Sequence, residues 1–206
     1  EIIKKTRNYK IKVGYKFGLE FLNSKNGRNF LSKLKNETTF ADLKLHDIPN
    51  TCVSTIKAIK DLKVNYLTIH ISCGLVALKA CKKISGNIKL VGVSVLTSLD
   101  NKTLKELGYD KKVEKVVYHQ AKLASKAKLD AFVCSAKEVH IVKKVFKKEI
   151  ITPGIRLLGD LIGDQKRIMT PKEAFNNKVS SIVIGRSLTK GNIKKNTKKL
   201  TDHLKK

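Results

Sequence analysis

Long apolar runs are missing from this 206-residue chain, and so is the roughly 18–20-residue stretch that a membrane-spanning helix needs. The opening Glu1-Ile2-Ile3-Lys4-Lys5 is amphipathic and shows no signal-peptide pattern. Cysteine is scarce. Cys52, Cys73, Cys81 and Cys134 form no C-x-x-C pair, which speaks against a disulfide framework or a zinc site and for free, mostly buried thiols in a reducing cytoplasm. Aromatics are only 6% of the chain, so the lysines have few rings interleaved among them. Acidic residues are few as well: 17 against 44 basic, a net charge of +27. Only five of the basic residues are arginine, the side chain suited to specific phosphate and base recognition. The lysines are spread along the whole chain. They read as solvated faces with a general, salt-screened attraction for anions, and no specific nucleic-acid partner is expected.

What is present is a chain long enough for one domain with a sizeable core, 41% of it hydrophobic. Short apolar segments alternate with longer helical ones. Strands are predicted at Lys10–Val13, Thr39–Leu43, Tyr66–His70, Lys89–Val93, Ala131–Cys134, Ile150–Thr152 and Ser181–Ile184. Helical stretches are predicted at Gly27–Lys35, Cys52–Leu62, Leu75–Ile84, Thr103–Leu107, Val117–Lys128, Ala136–Phe146, Pro171–Asn176 and Asn192–Leu204. This alternation is the pattern of an α/β parallel sheet, and the β-branched strands suit burial on both faces. Seven strands are one short of a (β/α)₈ TIM barrel. Glu1–Asn8 reads as the end of a helix. The expectation is therefore a single barrel domain over residues 1–206, N-terminally incomplete, with its first strand missing.

In such a barrel, chemistry sits at the C-terminal ends of the strands. Asp42 and Lys44 are two apart on one strand and share its inward face. Burying both is costly unless they pair. Lys12, on the preceding predicted strand, can reach the same place. Asp47 follows just before Ile48-Pro49, giving an alternating set of Lys12, Asp42, Lys44 and Asp47. The plain alternative is a buried ion-pair ladder that only sets strand register. A second signal lies after the last two strands: Thr152-Pro-Gly-Ile-Arg156, then Gly185-Arg186. Loops at these places form phosphate sites from backbone N–H groups, and Arg186 adds a bidentate donor. Leu157–Lys166, with its glycines, reads as a lid. His70 can contact the site or be a satisfied core histidine. His46 reads as a solvent or interface residue, and His119, His140 and His203 read as surface.

Together these stretches resemble the orotidine 5'-phosphate decarboxylase family. The resemblance is carried by Ile11-Lys12-Val13-Gly14, Asp42-Leu-Lys44-Leu-His-Asp47-Ile-Pro-Asn-Thr51, Val95-Leu-Thr97-Ser98, Val133-Cys-Ser-Ala136, Thr152-Pro-Gly-Ile-Arg156, Gly163-Asp-Gln165-Lys-Arg-Ile-Met-Thr-Pro171 and Ile184-Gly185-Arg186, in order over essentially the whole chain. The resemblance implies a cofactor-free, metal-free, cytoplasmic carboxy-lyase that converts orotidine 5'-phosphate to UMP and carbon dioxide. It implies that Lys44 protonates C6 of the pyrimidine, that Asp42 lies beside the substrate carboxylate, and that Lys12 bonds Asp42 and the ribose. Asp47 and Thr51 would reach a neighbouring subunit's site, which implies a homodimer with shared sites. Thr97 and Ser98 would contact the ring, Gln165 the phosphate and base, and Arg156, Gly185 and Arg186 the phosphate and its surroundings. The family's ribose-binding aspartate at the end of its first strand has no counterpart here. Cys73 and Ser187 stand where relatives commonly carry a small residue and a proline.

Two further readings compete with this one. A sister enzyme of the same barrel group, a sugar-phosphate decarboxylase or aldolase, would depend on a divalent metal. A truncated, non-catalytic basic protein would not keep the Lys12, Asp42, Lys44 and Asp47 set intact.

Overall fold

The structure is a computed structural model that describes residues 1–157 and 169–205. Its elements run α1 (Ile2–Thr6), β1 (Gly14–Phe17), α2 (Leu19–Asn23), α3 (Gly27–Ser32), β2 (Thr38–Leu45), α4 (Pro49–Ile59), β3 (Tyr66–His70), α5 (Gly74–Ile84) and β4 (Lys89–Val93). There follow α6 (Asn101–Glu106), α7 (Val113–Lys126), β5 (Ala131–Val133), α8 (Val139–Val145), β6 (Glu149–Thr152), α9 (Pro171–Asn176), β7 (Ser181–Ile182), α10 (Arg186–Thr189) and α11 (Ile193–Lys205). The sheet order is β1 to β7, the chain order, as short right-handed strand–helix–strand crossovers produce. Among the described residues, no helix is long and apolar enough to cross a membrane.

The chain forms two compact units. The first comprises Gly14–Ser94 and Gln120–Phe132. Its strands β1, β2, β3 and β4 pair in parallel, with Tyr15 opposite Thr39, Ala41 opposite Leu67 and Leu67 opposite Leu90. Leu67, Ile69, Leu90 and Val91 are wholly buried, as expected of strands covered on both faces. Each such side chain contributes about 1.5–3 kcal/mol by leaving water. Helix α4 starts at Pro49, whose missing N–H costs nothing in a first turn. It buries Cys52, Ile56 and Ile59, a spacing of four then three that keeps one face on the sheet. Gly92 in β4 has a packing reason: a Cβ there would lie 2.4 Å from Ile71 Cδ1 and 2.9 Å from Leu129 Cδ1, both in fully buried side chains.

The second unit comprises Glu1–Val13, Val95–His119 and Val133–Lys206. Strands β6 and β7 pair in parallel through Ile151 with Ser181 and Thr152 with Ile182. Helices α6 and α9 open with reciprocal capping boxes, Asp100 with Thr103 and Thr170 with Glu173. Helix α11 buries Ile193, Thr197 and Leu200 and leaves its lysines in water. The Tyr9 hydroxyl, just after α1, donates to the Lys194 carbonyl at 3.2 Å.

Most predicted elements stand within a few residues of those observed. The first strand does not: Lys10–Val13 lies outside the sheet and Gly14–Phe17 forms β1. Both segments alternate polar and apolar residues, so period alone does not choose between them. The observed strand buries Tyr15 and Phe17, where the rings Phe17, Phe21 and Phe30 meet at centroid separations of 5.0 to 6.2 Å. Aromatic packing selected the register. Helix α2, built around Phe21, went unpredicted. The four cysteines are free, with Cys52, Cys81 and Cys134 buried.

Candidate functional site

The end of β2 departs from a regular ladder. Ala41 pairs with Leu67 and Leu45 with Ile69, so Asp42, Leu43 and Lys44 together oppose Thr68 alone. The surplus chain forms a bulge, and Lys44 takes a left-handed backbone with φ 47°. A lysine gains nothing intrinsically from that conformation, which costs on the order of 1 kcal/mol or more. It is held from outside: the Lys44 N–H donates to Thr68 Oγ1 at 2.7 Å. Leu43 turns the other way and lines a cavity of about 450 Å³ with Leu22, Ala58, Ile59 and Leu62. Asn23, Arg28, Thr51, Ser54 and Thr55 also line that space.

Asp42 is the centre of the site. It is only 6% exposed, and its carboxylate binds three partners. Lys16 Nζ reaches Oδ2 at 2.6 Å, Lys44 Nζ reaches the same oxygen at 2.8 Å, and Thr68 Oγ1 donates to Oδ1 at 3.1 Å. Burial alone would raise the Asp42 carboxyl. The Lys16 and Lys44 ammoniums outweigh it and hold the carboxyl below its ordinary value, so it is ionised at neutral pH. Two ammoniums share one carboxylate, so the cluster carries one uncancelled positive charge. Both lysine side chains are about one-third exposed (34% and 35%), open to something that arrives from solvent.

The lysine on Asp42 is thus Lys16 of β1, which corrects the pairing expected of Lys12. Lys12 is exposed and precedes the strand. The two are four residues apart, an even step, so the shifted strand brings another lysine to the same face. Thr68 was also missed. Its signal was present, since a buried hydroxyl within the apolar run Leu67-Thr68-Ile69 needs a polar partner.

Around the cluster, the His46 and His70 rings meet with centroids 5.1 Å apart, tilted by 36°, and Ser72 Oγ lies 3.1 Å from His46 Nε2. Burial lowers the His70 imidazole below its ordinary value, helped by His46 and Lys44 and opposed by Asp42. Asp47 is exposed and does not meet Lys44; its Oδ1 accepts the Ile48 N–H at 2.7 Å. Thr51 is exposed in the first turn of α4. Cys52 and Cys73 donate to the carbonyls of Asp47 and Leu45, so both thiols help to hold this segment. Burial pushes the Cys73 thiol up to about 11, far from a reactive thiolate.

The other expected contact residues belong to the second unit. Thr97 is half-buried and Ser98 exposed, in the turn after β4. Arg156 is half-buried, its guanidinium donating to the Ile155 carbonyl at 3.0 Å and its N–H to Met169. Gly185 and Arg186 are exposed at the start of α10. Gln165, and residues 158–166 of the segment expected to act as a lid, lie outside the described residues. Among the described residues, no three His, Cys, Asp or Glu side chains are grouped as a metal site.

A family model for orotidine 5'-phosphate decarboxylase / HUMPS matches residues 1–199. An orotidine 5'-phosphate decarboxylase of Wolbachia sp. subsp. Brugia malayi is 45% identical over 97% of this chain and 91% of its own length. A second, from Wolbachia pipientis subsp. Culex pipiens, is 47% identical over 86% of this chain and 81% of its own. The crystal structure of orotidine 5'-phosphate decarboxylase from Lactobacillus acidophilus superposes with a TM-score of 0.78 at 30% identity, covering 93% of this chain and 86% of that one. The fold is the α/β TIM-barrel type of these neighbours. On the match to residues 1–199 and on these identities, the chain belongs to the orotidine 5'-phosphate decarboxylase / HUMPS family.

Proposed function

We propose that the protein is a carboxy-lyase that converts orotidine 5'-phosphate to UMP and carbon dioxide, a step of pyrimidine biosynthesis. The observation that carries this reading is the buried Asp42 carboxylate shared by Lys16 and Lys44, a net-positive array open to an anionic substrate. When the bond from C6 to the carboxylate breaks, its electron pair stays on C6, in the ring plane, with little resonance help. A fixed ammonium beside C6 stabilises that charge without having to reorganise. Lys44 then gives its proton to C6, forming UMP, and regains one from solvent. Asp42 keeps Lys44 aimed, and Lys16 balances Asp42. No metal or cofactor enters this sequence.

The contact roles remain part of the proposal. Thr97 and Ser98 serve the pyrimidine, Gln165 the phosphate and base, and Arg156, Gly185 and Arg186 the phosphate. Asp47 and Thr51 serve the site of a second copy in a homodimer. Their exposure supports this, as does Ile48 beside them, an apolar side chain 67% exposed. A cytoplasmic location accords with the free thiols.

The test is loss of orotidylate absorbance on adding metal-free protein. Wild type is expected to turn over. Lys44→Ala is expected to lose about 10³-fold or more in kcat while still binding UMP. Near-normal decarboxylation by Lys44→Ala would overturn the assignment of the proton donor. Activity confined to a sugar phosphate with a divalent metal would overturn the reaction.

A further inference from the structure

We infer that Thr68 is a positioning residue for this reaction: its single hydroxyl holds both the backbone of Lys44 and the carboxylate of Asp42. The inference rests on the function proposed above. Three residues of β2 oppose this one residue of β3, so the ladder cannot supply the Lys44 N–H with a backbone carbonyl in regular register. Thr68 Oγ1 takes that N–H at 2.7 Å and, with its own proton, donates to Asp42 Oδ1 at 3.1 Å. A hydroxyl has one proton to give and lone pairs to accept, so one atom makes both bonds. It is 1% exposed, so water cannot take over either bond without rearrangement.

The division of labour on Asp42 follows. Oδ2 receives the two ammoniums and Oδ1 receives Thr68. The carboxylate is therefore fixed at both ends and cannot rotate to follow a moving lysine. On the other side, the left-handed conformation of Lys44 persists because its N–H has a buried acceptor. Thr68 thus sets the distance between the proton donor and its counter-ion without touching substrate. A threonine that only satisfied its own hydroxyl would do neither. The charged groups facing Asp42 are Lys16 from β1 and Lys44 from its own strand; the titratable His70 at the end of β3 is coupled to it more weakly.

The test uses Thr68→Val, Thr68→Ala and Thr68→Ser, read two ways. Orotidylate kinetics are expected to show kcat down about 10- to 100-fold in the Val and Ala variants, with KM within about threefold. Titration of the Asp42 carboxyl by ¹³C NMR is expected to move upward in both, because a hydrogen bond to the charged form is lost. Ser keeps the hydroxyl and is expected to restore both readouts. Val keeps the volume and Ala adds none, so a folding failure in one leaves the other to decide. Wild-type kcat with an unmoved Asp42 titration in Val or Ala, or a Ser variant as impaired as Val, would overturn the inference. If wild type does not turn over orotidylate, the proposed reaction fails, while the Asp42 titration still decides the role of Thr68.

Discussion

Two lysine–aspartate pairs in the same unit have the same contact length and opposite meanings. Lys82 and Asp130 meet at 2.6 Å, as do Lys16 and Asp42. Asp130 Oδ2 takes the Lys82 ammonium at 2.6 Å and the Leu90 N–H at 2.9 Å, so it ties α5 to the start of β4. Asp42 takes two ammoniums and a hydroxyl, on a strand that has left its regular path to present them. The bulge and the left-handed backbone of Lys44, not distance, set the Asp42 pair apart from that tie.

Exchanging the two aspartates gives the largest expected contrast. Asp42→Asn is expected to lower kcat by about 10²-fold or more, by leaving two lysines without their counter-ion. Asp130→Asn is expected to leave kcat nearly unchanged and to cost about 1–3 kcal/mol of stability. Urea titration beside orotidylate kinetics reads both, and equal kinetic losses would erase the distinction. Acid unfolding sharpens it. The depressed Asp42 carboxyl adds stability above its ordinary value of 3.8 that is lost as pH falls through its lowered value in the fold. Asp42→Asn should flatten that limb.

The next contrast is between two lysines. Lys16→Ala is expected to lower kcat by about tenfold or more, and Lys12→Ala by less, because only Lys16 meets Asp42. The opposite order in steady-state kinetics would mean that β1 sits four residues earlier in the working enzyme.

The smallest effect concerns His70. Its value in the fold lies below the ordinary 6.5, so as pH falls the unfolded chain takes up this proton before the folded one. Stability therefore falls as pH drops below 6.5, by at most about 1.4 kcal/mol per pH unit for one proton. His70→Asn should remove that slope in denaturant titrations between pH 5 and pH 7, and an unchanged slope would show that His70 does not titrate there.

Sequence pattern exposed the site better than its construction. Asp42 and Lys44 were legible because two opposite charges in a buried strand must pair. Strands β3 and β4 were legible because their β-branched runs suit burial on both faces. The bulge was not legible, since register is a relation between strands and no local pattern around Leu43 announces it. Lys16 was hidden by its likeness to Lys12, four residues away on the same alternation. The choice fell to Phe17 meeting Phe21 and Phe30, a tertiary contact. Asp47 stands apart from Lys44 within this chain, its Oδ1 taken up by the Ile48 N–H.

The bulge also separates what the sheet needs from what the proposed reaction needs. Between Ala41 and Leu45 the strand spends three residues where its neighbour spends one. A variant lacking two of them could keep Ala41 on Leu67 and Leu45 on Ile69, and so keep the sheet. The proposed chemistry rides on slack in the chain, and slack can be deleted without cutting the rope.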